Sequence, residues 1–158
     1  MTREEFIRAI NDQQTSLRRF LLVLCKGDSF TADDIAQDAC IKAWLSADTF
    51  RGASKFSTWL FRIAYNCWYD HRYSSKTEDI APSSGSHIPD PAQADDCFRH
   101  EELYQAIDGL KPNEKAAIVL FYMEGRSIKE ISAIMGMKQG SVKSLLSRGR
   151  SKLRIVLK

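Results

Sequence analysis

From Ser127 to Met135 the apolar residues fall at Ile128, Ile131 and Met135, and after Gly136 a new stripe runs through Val142, Leu145, Leu146, Gly149 and Leu153. Each series marks one face of an amphipathic helix. The glycine between them suits a tight turn that needs positive φ. Together they predict a helix-turn-helix. Nearer the N-terminus, Leu17, Phe20, Leu21 and Leu24 form another helical stripe. A second helix is expected from the Asp33–Asp34 pair to Trp44, with its acids at the end the helix dipole favours. Its inward stripe reads Ile35, Ala36, Ala39, Cys40, Ala43 and Trp44. An aromatic-rich helix follows the loop Arg51–Gly52–Ala53, with Ser57 and Thr58 as caps. Strand-like alternation between hairpin turns is absent from the sequence, as are internal repeats. The expected fold is all-α, two small helical bundles joined by a flexible linker, the C-terminal one containing the helix-turn-helix.

The break between the bundles lies near Ser74 to Asp96, where Pro82, Pro89, Pro91, Gly85 and many serines interrupt any amphipathic period. This divides the 158 residues into a first domain over 1–75, an acidic Pro/Ser-rich linker over 76–100 and a second domain over 101–158. The 44% hydrophobic content is ample for packed cores. A net charge of +3 is too small to identify a nucleic-acid binder, but its distribution is informative. Residues 76–100 hold five acids against two bases, and 101–158 hold eleven bases against six acids. From Lys138 onward the charged residues are Lys138, Lys143, Arg148, Arg150, Lys152, Arg154 and Lys158, with no acid among them. With no apolar run near the length of a membrane span and no signal-peptide core, a cytoplasmic protein is expected.

Candidate chemistry follows from which residues the helices leave outside. On the last helix, Ser141, Lys143, Ser144, Ser147, Arg148 and Ser151 lie off the apolar stripe. Small hydroxyls and cations there suit base edges and phosphates in a major groove. The acidic helix carries Asp34, Gln37, Asp38 and Ile41 opposite its apolar stripe. That isoleucine is either a scattered surface residue or an anchor for a partner with a basic groove. In the aromatic helix, Trp59, Phe61 and Ile63 follow the apolar period and read as core, whereas Lys55, Phe56, Asn66 and Arg72 suit single-stranded DNA. Cys25, Cys40, Cys67 and Cys97 form no CxxC pair and have no histidines at metal spacing. They read as reduced thiols, the first three as small core residues, so neither metal nor cofactor is expected. Asp70 and His71 are adjacent and point in different helical directions, which leaves no converging catalytic pair and argues against an enzyme.

The segments DDIAQDACIKAW and FRGASKFSTWLFRIAYNCWYDHR, followed by the helix-turn-helix, resemble the bacterial sigma-70 family. The similarity is to its two-domain branch, the extracytoplasmic-function RNA polymerase sigma factors, and covers nearly the whole chain. It implies a subunit that binds core RNA polymerase, directs it to promoters and melts the −10 region. Carried over by residue, it implies that Asp34, Gln37, Asp38 and Ile41 dock on the polymerase clamp helices. Arg51, Lys55, Phe56, Asn66 and Arg72 then belong to the −10 contact, with Phe56 and Asn66 lining the pocket of a flipped base, and 1–75 corresponds to sigma region 2. Lys138, Ser141, Lys143, Ser144, Ser147 and Arg148 belong to the −35 contact within sigma region 4. The segment 110–125 resembles the part that meets the polymerase flap, and the acidic linker the part that threads the RNA exit path. An anti-sigma factor is an implied partner.

Where the family often ends its recognition helix in Arg-Leu-His-Arg-Ala-Arg, this chain has Leu145, Leu146, Ser147, Arg148, Gly149 and Arg150. Fewer cations weaken phosphate anchoring, and Gly149 costs about 1 kcal/mol of helix propensity against alanine. A stand-alone helix-turn-helix regulator is the competing class. It leaves the aromatic helix unexplained, and the first bundle offers no coiled-coil dimer element.

Overall fold

The computed structural model describes residues 2–52, 54–75 and 94–157, with side chains over 2–52, 54–72 and 101–157. Every regular element among them is helical. Helix α1 (Arg3–Leu24) opens on a capping box in which Thr2 and Glu5 each satisfy the other's backbone N–H. It buries Phe6, Leu17, Phe20, Leu21, Val23 and Leu24. Helix α2 (Ser29–Leu45) starts earlier than the acidic pair suggested. Its N-cap is Asp28, which accepts from the Thr31 N–H at 3.2 Å, so Asp33 and Asp34 stand in its second turn. Helix α3 (Phe56–Ser75) includes Ser57 and Thr58 in its first turn, so neither is its cap.

The second bundle begins at α4 (Ala94–Asp108). The linker expected over 76–100 is therefore helical from Ala94 onward, and its remainder, 76–93, lies outside the described residues. Helix α5 (Pro112–Ile118) starts on Pro112, whose missing N–H costs nothing there, and continues into a π-helical turn over Val119–Met123. Helices α6 (Ile128–Met135) and α7 (Gln139–Val156) form the helix-turn-helix. Gly136 ends α6 at φ 66°, the left-handed cap that the sequence led us to expect. The Ser132 hydroxyl donates to the Met137 carbonyl across this turn. Gly149 has a packing reason. A Cβ built there would lie 2.7 Å from Ile118 Cγ1 and 3.0 Å from Cδ1, so its bare backbone lets α7 close on α5.

The bundles are not merely tethered. Helix α3 lies along α6, and α1 touches α4 and α5. A single buried cluster runs from Phe6, Leu17 and Phe61 to Ile118, Ile131 and Leu146. Polar contacts pin the seam. Arg19 pairs with Glu124 through two hydrogen bonds of 2.9 and 3.1 Å. The Tyr65 hydroxyl donates to Asn113 Oδ1 at 2.8 Å. Buried Lys115 donates to the Leu24 carbonyl at 3.3 Å, supplying the cation that the last turn of α1 lacks.

Candidate polymerase and nucleic-acid interfaces

On α2 the buried side is Ala32, Ile35, Ala36, Ala39 and Ala43, four alanines among them that let the helix lie close to α1 and α3. The far side carries Asp34, Gln37, Asp38 and Ile41, all exposed. Sequence reasoning missed two members of this face. Phe30 is 83% exposed and Leu45 76%, compared with 57% for Ile41. Positions 30, 34, 37, 38, 41 and 45 repeat at helical spacing, so the signal was available once α2 was extended back to Ser29. Trp44, expected inside, is 41% exposed; its ring meets Phe6 edge-on and lies under the Arg3 guanidinium at 5.1 Å.

Helix α3 divides its faces three ways. Leu60, Phe61, Ala64, Cys67 and Trp68 are buried, while Trp59 and Ile63, expected in the core, are only half-buried. Phe56 is half-buried in an aromatic cage, edge-on to Phe6 at 5.6 Å and to Phe50 at 5.6 Å, and tilted against Trp59. Asn66 lies farther along and exposed, beside a shallow pocket lined by Lys42, Leu45, Ser46, Ile63 and Cys67. Phe56 and Asn66 therefore sit in different surroundings. Lys55, Trp59, Arg62, Asn66 and Tyr69 follow at steps of four and three residues, forming a ridge of cations, an amide and rings. Arg62 and Tyr69 are exposed members that the sequence reading left out of the site. Arg51 is exposed in the preceding loop, and Arg72 rests over the Trp68 ring at 5.6 Å.

On α7, Val142, Leu145, Leu146 and Gly149 are buried, and Ser141, Lys143, Ser144, Ser147 and Arg148 are exposed. Lys138 is the exposed N-cap. At about 100° per residue, Ser144, Ser147 and Ser151 run down the middle of the outer face, with Lys143 and Arg148 on opposite flanks. Hydroxyls in the centre let a helix come close to base edges, and flanking cations reach the two phosphate rails. Part of the basic run is engaged within the chain. Arg150 donates to the Tyr122 hydroxyl at 3.2 Å, and Lys152 pairs with buried Glu114 at 2.7 Å. The 110–125 segment is mostly interior, with Glu114 to Leu120 buried throughout.

The titratable groups here serve packing. Burial pushes the Cys25 thiol up to about 12 and also raises Cys40 and Cys67, so these thiols stay protonated. Burial alone would raise Glu114, but the Lys152 ammonium and the Lys111 N–H outweigh it and hold the carboxyl below its ordinary value. Glu130 is likewise lowered, its burial offset by hydrogen bonds from Ser127 and the fields of Lys55 and Arg126. Among the described residues there is no His/Cys/Asp/Glu group able to hold a metal and no helix long and apolar enough to cross a membrane.

Residues 3–77 match the model of Sigma-70 region 2, and residues 100–153 that of Sigma-70 region 4. The chain is 31% identical over 146 residues to the ECF RNA polymerase sigma factor EcfG of Rhodopseudomonas palustris, covering 90% of this chain and 79% of that protein. It is 32% identical over 142 residues to SigW of Bacillus subtilis, covering 81% and 76%. Its fold is similar to that of the sigma factor RpoE in complex with the anti-sigma factor NepR from Bartonella quintana. That likeness has a TM-score of 0.78 at 25% identity over 98% of this chain and 97% of the other. With both halves matched in order and the helix-turn-helix in the second, the chain belongs to the sigma-70 family as an ECF sigma factor, a protein of promoter recognition and transcription initiation with RNA polymerase.

Proposed function

We propose that the exposed face of α2 is the docking surface for the clamp helices of core polymerase. The observation that carries this reading is the exposure of Phe30, Ile41 and Leu45 around Asp34, Gln37 and Asp38 on a helix whose opposite side is well packed. An acidic centre flanked by apolar side chains fits a partner offering a basic patch between apolar contacts. The domain over 1–75 works as region 2 and that over 101–158 as region 4. The ridge Lys55, Arg62, Asn66 and Tyr69, with Arg51 and Arg72 beside it, receives the unpaired −10 strand, and the Asn66 amide reads a flipped base from the pocket at its side. Phe56 supports this site by fixing the loop to the bundle. Lys138, Ser141, Lys143, Ser144, Ser147 and Arg148 form the −35 reader. The exposed Ile155, Val156 and Leu157 beside α4 offer the apolar surface for the flap that buried 114–120 cannot. The protein acts in the cytoplasm as a non-enzymatic subunit, and an anti-sigma factor is a further partner.

The test is association with purified core polymerase, followed by gel filtration. The double variant Asp34→Lys, Asp38→Lys is expected to lose co-elution while keeping its helical circular dichroism, because neither position touches the core. Co-elution equal to wild type would remove this face from the interface.

A further inference from the structure

We infer that the Arg3–Trp44 pair, beside the N-terminal end of α1, is a second binding site for unpaired DNA: a slot that takes one nucleobase beyond the Lys55 end of the −10 ridge and holds its phosphate. The inference rests on the sigma-factor reading above and on the ridge assigned there. Trp44 stands in the last turn of α2 and is 41% exposed, although its position belongs to the apolar stripe. The Arg3 guanidinium lies over its ring at 5.1 Å. From Trp44 the rings step to Phe6 at 5.4 Å, and from Phe6 to Phe56 at 5.6 Å. Phe56 and Phe50 close the loop that carries Arg51 and Lys55, both exposed. The pair therefore stands two ring-to-ring steps from the base of the loop, on the path of a strand that leaves the ridge at Lys55.

Folding alone gives little reason for a cation at this point. Arg3 is the first residue of α1, where the helix dipole favours an anion; Glu4 and Glu5 fill that role and Arg3 opposes it. Among the described residues Arg3 forms no ion pair. Held on the indole by cation–π attraction, its guanidinium keeps its charge and its N–H fork for a phosphate. The exposed indole supplies a face on which any base can stack, so the slot adds affinity without reading sequence. A base entering between guanidinium and indole needs two stacking steps of about 3.4 Å, or about 7 Å, where 5.1 Å now separates them. Opening by about 2 Å is within the reach of a long, flexible arginine side chain.

The rival use for Trp44 is the neighbouring face of α2 that is proposed to meet the clamp. At about 100° per residue Trp44 stands about 60° round the helix from Ile41 and about 80–120° from Asp34 and Asp38. It is turned toward Phe6 of α1 instead. Charge separates the two uses. The clamp face is centred on acids and suits a basic partner, whereas the group laid on Trp44 is a cation and suits an anionic strand.

The test places 2-aminopurine, one position at a time, along the unpaired strand of a forked promoter taken from a start site mapped with this holoenzyme, and reads its fluorescence in the bound complex. One position other than the base at Asn66 should be quenched several-fold relative to the free fork. Trp44→Leu should restore that signal, Asn66→Ala should leave it quenched, and Trp44→Phe, which keeps a ring against Phe6, should retain part of the quenching. Arg3→Gln, a change at the surface, should weaken fork binding several-fold and lower the salt slope by about 0.7, the share of one single-strand phosphate. The slot is overturned if no quenched base responds to Trp44, or if Arg3→Gln leaves the slope unchanged. Core binding lost in Trp44→Leu as fully as in Asp34→Lys, Asp38→Lys assigns Trp44 to the clamp and overturns it as well. A wild-type chain that binds no core, or a holoenzyme that binds no fork, brings down the sigma-factor reading and the slot with it. Fork binding that persists with only the Asn66 base responding brings down the slot alone.

Discussion

Gly149 is the residue at which helix propensity and packing disagree. Alanine is the better helix former by about 1 kcal/mol, yet its methyl group would press into Ile118 at the α5–α7 contact. Gly149→Ala is expected to destabilise the protein by about 1–3 kcal/mol through overpacking. Chemical unfolding measures this, and a stabilised variant would mean that Ile118 moves aside freely. Phe56 raises a similar question of role. Caged by Phe6, Phe50 and Trp59, its loss in Phe56→Ala should lower stability by about 2–3 kcal/mol. Asn66→Ala, at an exposed position, should leave the melting temperature within error while altering −10 base preference. Equal melting temperatures for both variants would return Phe56 to direct base contact. Glu114 sets an acid limit. Its folded-state pKa lies below the ordinary value of 4.5, so its contribution is present above that pH and is lost as pH falls through the lowered value. Acid unfolding followed by fluorescence should therefore begin later in Glu114→Gln than its neutral-pH stability predicts.

At the scale of helices, α7 and α3 present different surfaces, which the proposed function assigns to duplex and unpaired DNA respectively. Lys143→Ala and Arg148→Ala are each expected to weaken binding to duplex −35 DNA and to reduce the salt slope by about one. Gel shifts across a salt series check this, and an unchanged slope would take both residues off the phosphates. Much of this level was legible in the residues. The helix-turn-helix could be read because Gly136 and both apolar stripes are local signals, resolved within one or two turns. The α2 face was legible only from Asp34 onward. Its true start depends on Asp28 capping through Thr31, and starting the helix at the acidic pair hid Phe30. Trp59 and Ile63 were read as core because period alone cannot say how far round a helix its neighbours extend. The start of α4 was hidden for a related reason, since Ala94 and Asp95 follow a proline-rich stretch and carry no apolar stripe of their own.

For the whole molecule, the sequence suggested two bundles on a tether, and the structure adds a seam between them. Nothing local announces that seam. The partners in these pairs are separated by 48 to 105 residues along the chain, and each polar or charged side chain taken alone reads as ordinary surface. Only their three-dimensional arrangement makes Arg19, Tyr65 and Arg126 a set. The same arrangement keeps the exposed face of α2 and the outer face of α7 open with the two bundles packed together. On the proposed function, these surfaces together turn core polymerase into a promoter-specific enzyme. The most direct measurement is in vitro transcription by purified core polymerase on genomic DNA, with and without this protein, mapping transcript 5′ ends. The account predicts new start sites sharing two sequence elements at fixed spacing, absent when Asp34→Lys, Asp38→Lys replaces wild type. Identical start sites with and without the protein would contradict it.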